Sequence, residues 1–65
     1  MIRTAIRYQN NMVMVFDKKG EQIPKYQGQY ADVKGSVLRD APPDAGFAHW
    51  FGDTAEPEAV SKDNW

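Results

Sequence analysis

The chain opens on an alternation. Ile2, Thr4, Ile6 and Tyr8 interleave with Arg3, Ala5 and Arg7, a period of two that predicts a half-buried strand. Asn10-Asn11 follows, and Asn tolerates the positive φ that tight hairpin turns demand. The next run, Met12-Val13-Met14-Val15-Phe16, is apolar on both faces, which predicts a central strand or one covered on both sides. Asp17-Lys18-Lys19-Gly20 reads as a second turn, and Glu21-Gln22-Ile23 as a short third strand that Pro24 ends.

The period then changes. Tyr26, Tyr30, Val33, Val37 and Ala41 recur at steps of three and four, with Leu38 widening the stripe. This is one face of a helix running from about Gln29 to Asp40. Gly35 weakens it by roughly 1 kcal/mol relative to Ala. Pro42 pushes Ala41 out of the helical region and stops it. Phe47 to Phe51 has strand composition, with Phe47, His49 and Phe51 on one side and Ala48 and Trp50 on the other. From Gly52 onward the periodicity vanishes.

These elements predict an α+β fold, a small and mainly antiparallel sheet of three or four strands with one helix packed on one face. Their order is strand, strand, an optional short strand, helix, strand. Residues 1–52 form the expected domain and 53–65 an acidic, flexible tail.

Charge supports that division. Before Ala41-Pro42-Pro43 there are seven Lys/Arg against four Asp/Glu; beyond it there is one Lys against five Asp/Glu. Sixty-five residues make a single domain whose stability amounts to a few kcal/mol. The absence of cysteine excludes disulfides and thiolate metal ligation and points to a reducing, cytoplasmic setting. No apolar run approaches the roughly 20 residues of a membrane span, and Met1 to Arg7 lacks the core of a signal peptide.

Candidate chemistry is sparse. His49 is the sole histidine, and Ser36 and Ser61 are the only serines, neither in a nucleophile-elbow setting. One His and no Cys do not build a zinc site. Asp17 to Glu21 pairs acids with a glycine turn but places two lysines where a calcium ion would be repelled. The five glycines form no phosphate-cradling cluster. No enzyme, cofactor or metal is expected.

A mismatch remains. One helix covers one sheet face, whereas the Met12–Phe16 strand is apolar on both. The uncovered face therefore exposes apolar side chains and points to a non-enzymatic module that binds another protein or itself. Its anchors are Val13, Val15 and Trp50, or Met12, Met14 and Phe16 in the other register. Trp65 has three readings: docked on that same face, a handle for a partner, or a frayed end. The competing reading is a nucleic-acid module using Arg3, Arg7, Lys18 and Lys19 with neighbouring aromatics. The sequence bounds the function without naming it.

Overall fold

The computed structural model describes the whole chain, Met1–Trp65. Five strands form one sheet: β1 (Thr4–Tyr8), β2 (Met12–Phe16), β3 (Gly28–Gln29), β4 (Gly46–Trp50) and β5 (Glu58–Val60). Their spatial order is β3-β2-β1-β4-β5. Helix α1 (Tyr30–Asp40) lies between β3 and β4 in the chain, and two 3-10 turns occupy Pro24–Tyr26 and Lys62–Asn64. No helix is long and apolar enough to cross a membrane.

The β1–β2 hairpin closes as its asparagines predict. Asn11 holds φ at 62°, its N–H bonds the Tyr8 carbonyl, and Asn10 Oδ1 accepts the Met12 N–H at 3.1 Å. The next turn is held by Asp17, whose Oδ1 accepts the N–H groups of Lys19 and Glu21. Gly20 supplies the left-handed residue at φ 81°.

The third strand is not where the sequence placed it. Gln22 makes a single bridge to Phe16, because Pro24 has no N–H to extend a ladder and instead begins a 3-10 turn. The pairing with β2 resumes at Gly28–Gln29, opposite Val13 and Met12.

Helix α1 ends as expected. Ala41 before Pro42 is extended, at φ −70° and ψ 128°. The returning chain lays β4 beside β1 in parallel, from Thr4↔Gly46 to Tyr8↔Trp50. The sheet is therefore mixed, not mainly antiparallel. No local signal encodes that pairing, since a strand's own alternation is silent about its neighbour's direction.

The largest departure lies in the acidic segment expected to be a flexible tail. Glu58–Val60 adds a fifth strand to β4, with Phe47↔Val60, Ala48↔Ala59 and His49↔Glu58. Trp65 is then carried into the core, only 3% exposed. That core comprises Ile2, Ala5, Val13, Val15, Tyr26, Val37, Ala41, Phe47 and Trp65. Helix α1 packs over β2, β3 and the first 3-10 turn. Trp65 fills the space over β4 that so short a helix leaves open, edge-on to both Tyr30 and Phe47.

Candidate partner-binding face

The register divides the sheet into two unlike sides. Ala5, Val13, Val15 and Phe47 point toward α1 and are buried, and Arg7 and His49 share their side. The other side follows from the same pairings: Thr4↔Phe16, Ile6↔Met14 and Tyr8↔Trp50 in the centre, flanked by Ile6↔Ala48. Gln29 opposite Met12, Gln22 opposite Phe16, and Ala59 opposite Ala48 extend it to both edges. No helix lies over this side.

With Gly46, that makes twelve outward positions, and none carries a formal charge. Asp, Glu, Lys and Arg make up 26% of the chain, so an indifferent draw of twelve would hold about three. Solvated sheet faces normally alternate to polar side chains. Here Tyr8, Met12, Met14, Phe16 and Trp50 are only half-buried. Ile6 and Ala48, at 9% and 7% exposure, are covered by these larger neighbours.

The face has shape as well as composition. Tyr8 and Trp50 stack with centroids 6.0 Å apart and planes 19° from parallel. The Trp50 indole N–H donates to the Thr54 carbonyl at 3.1 Å, fixing the ring. Gln29 Nε2 lies 3.1 Å from Met12 Sδ. A groove of about 530 Å³ runs beside the stacked pair, lined by Tyr8, Gln9, Asn10, Met12, Met14, Gln27, Trp50 and Gly52. It offers amide groups, thioethers, aromatic rings and the Tyr8 phenol, and no carboxylate, imidazole, amine or thiol.

The expected anchors separate accordingly. Val13 and Val15 are fully buried beneath α1, so the exposed register is the methionine one. The branched valines present the smaller, stiffer surface against which a helix packs closely. Trp50 is on the open face. Trp65 is on the opposite side of the sheet, its indole N–H donating to the Ala48 carbonyl at 3.1 Å. Burial there removes it from both docking on the open face and serving as a handle.

Arg7 is set apart from the other basic candidates. Arg3 lies 3.7 Å from Asp44 at the exposed start of β1. Main-chain pairing of Arg3 with Phe16 sets Lys18 and Lys19 near that same end. Arg7 is on the helix side at the other end of β1. Its Nη1 donates to the Trp65 main-chain oxygen at 3.1 Å and its Nη2 to Asn11 Oδ1 at 3.0 Å. Its guanidinium lies 3.7 Å from the Tyr30 ring centroid. Tyr8 and Trp50 face away from it, and Tyr26 is core.

His49 Nε2 also donates to the Trp65 oxygen, at 2.9 Å, because that oxygen can only accept. The ring stacks on Phe51. The one strongly perturbed acid is remote from the face. Asp40 is held down to about 2, first by the Arg39 guanidinium and then by the Tyr26 hydroxyl, which donates to it at 2.6 Å. The same bond raises the Tyr26 phenol. This trio ties the end of α1 to the first 3-10 turn and serves the fold. No group of three or more His, Cys, Asp or Glu is placed to hold a metal ion.

No family model matches the chain, and no characterised protein or solved structure proved similar to it.

Proposed function

We propose that the chain is a small non-enzymatic protein-binding module and that its open sheet face is the binding surface. The observation that supports this reading is the uncharged, aromatic- and methionine-rich side formed by Ile6, Tyr8, Met12, Met14, Phe16 and Trp50. Contiguous apolar surface of this kind costs solubility and is kept where something covers it. Methionine adapts its shape to a partner, and tyrosine and tryptophan dominate interface energetics. The groove lining lacks the convergent acid, base and nucleophile that catalysis uses. A nucleic-acid role draws less support, since Arg3 and Arg7 stand at opposite ends of β1 and the stacking aromatics lie on the other side from Arg7.

A photo-crosslinking amino acid at position 14, compared with one at position 34 on the helix surface, tests the reading in lysate of the source organism. Crosslinked protein adducts specific to position 14 support it. Adducts of equal yield at both positions, or none at position 14, contradict it.

A further inference from the structure

The open face constrains its occupant by charge. With no ionised group among its outward side chains, it offers nothing to pair with a phosphate, a carboxylate or an ammonium. Any such group brought against it would be buried uncompensated. The occupant is therefore itself uncharged. One surface described above meets that condition, and it is this same face on another molecule.

We propose, resting on the binding-module reading, that the occupant is a second copy of the chain, joined face to face about a two-fold axis. The axis passes near the Ile6–Met14 pair, the middle of the sheet. A two-fold contact sets each patch against itself, so a formal charge near the axis would meet its own copy. A patch with none incurs no such repulsion in any rotation about the axis. The two sheets stack at about 10 Å, with Met12, Met14 and Phe16 of one copy entering the spaces between those of the other. The product is a β-sandwich whose outer layers are the two α1 helices and whose inner layer is the uncharged side.

Size sets the strength. Three strands of five residues, one of two and one of three, about 4.8 Å apart, give a footprint on the order of 300 Å². Side chains standing off that footprint raise the buried surface to several hundred Å² per copy. A stable standard interface takes about 800 Å² per partner, nearly a fifth of the 4345 Å² accessible surface of this chain. The dimer is accordingly reversible and concentration-dependent. Association also adds core to a chain in which only 11 of 65 residues are buried, so stability rises with protein concentration.

Sedimentation equilibrium of the purified chain, from roughly 5 µM to roughly 1 mM, tests this. A monomer–dimer equilibrium is expected, weakened at least about tenfold by Met14→Lys, which brings two lysines together at the axis. Circular dichroism establishes that the variant folds. Isotope-filtered NOE spectra of the unsubstituted chain need no variant and should show Met14 methyl contacts between copies. A chain that stays monomeric throughout overturns the second-copy proposal. So does a dimer that Met14→Lys leaves unchanged, or one without intermolecular Met14 contacts. Crosslinks from position 14 to a different protein would then keep the binding-module reading while this proposal fails; no crosslink at all removes both.

Discussion

Trp65 meets Phe47 edge-on, with ring centroids 5.2 Å apart and planes at 63°. The contact joins the last residue of the chain to the first buried position of β4, and it explains how a short helix closes one side of a five-stranded sheet. Helix α1 covers β2 and β3, and the indole covers β4. Arg7 and His49 both donate to the Trp65 main-chain oxygen, which fixes the ring from behind.

Trp65→Ala should therefore act as a core mutation. Removing a buried tryptophan costs about 3–5 kcal/mol, comparable with the whole stability of a domain this small. The variant is expected to be largely unfolded at 25 °C by circular dichroism. Trp65→Phe keeps the aromatic packing but loses the indole N–H bond to Ala48, a loss of about 1 kcal/mol plus some cavity. A Trp65→Ala protein with an unchanged melting temperature would show that the segment is dispensable.

The Arg7–Asn11 contact can be separated from the turn it sits in. Asn11 has φ 62° and also accepts two N–H groups of Arg7. Asn11→Gly keeps the left-handed conformation and loses only the Arg7 anchor; Asn11→Ala loses both and should be less stable than Asn11→Gly by about 1 kcal/mol. Urea titration of the two variants measures the difference. Equal midpoints would mean that the conformation is not strained.

The Tyr26–Asp40–Arg39 trio predicts a pH dependence of definite sign. Arg39 and Tyr26 hold the Asp40 carboxyl at about 2 when folded, below the ordinary value near 4. Stability linked to it is complete above about pH 4 and is lost as pH falls toward 2. The Tyr26 phenol is raised by its bond to Asp40. Its contribution is complete below about pH 10 and is lost as pH rises through the raised value. Thermal melts of Asp40→Asn should show a flatter acid limb than the parent chain. Identical acid limbs would remove Asp40 as the linked group.

The two faces of β2 should respond differently to truncation. Val15→Ala removes fully buried atoms beneath α1 and costs about 1.5–3 kcal/mol in dilute protein. Met14→Ala, on the open side, should cost less at low concentration and weaken association instead. Melting temperatures at two protein concentrations separate the effects. Equal destabilisation by both variants in dilute solution would mean that the open face is already core.

Much of the fold was legible because it is locally encoded. The apolar run Met12–Phe16, the stripe from Tyr30 to Ala41 and the split of Phe47/His49 from Ala48/Trp50 correspond to observed elements and faces, and the opening alternation to strand β1, although Ile2 enters the core ahead of the strand while Ile6 and Tyr8 face the open side. The uncovered sheet side was foreseeable from helix count alone. Which side of β2 it would be was not, because valine and methionine are equally apolar and only packing under α1 distinguishes them. The segment after Gly52 was opaque for another reason. Glu58-Ala59-Val60 is three residues long with one β-branched member, and its strand exists only because β4 offers a free edge. Trp65 was visible as an oddity, but the space it fills is created by α1, β1 and β4 together. Arg7, read from the sequence as a candidate nucleic-acid contact, clamps that residue.

The central claim is that the open face is where a partner sits. The three methionines report on it directly, since Met12 and Met14 belong to the face and Met1, 80% exposed, does not. We would record methyl spectra of methionine-labelled protein, dilute and alone and then in concentrated lysate of the source organism. The account predicts that the Met12 and Met14 signals shift or broaden while Met1 stays in place. Three unchanged signals, or a change confined to Met1, would contradict it.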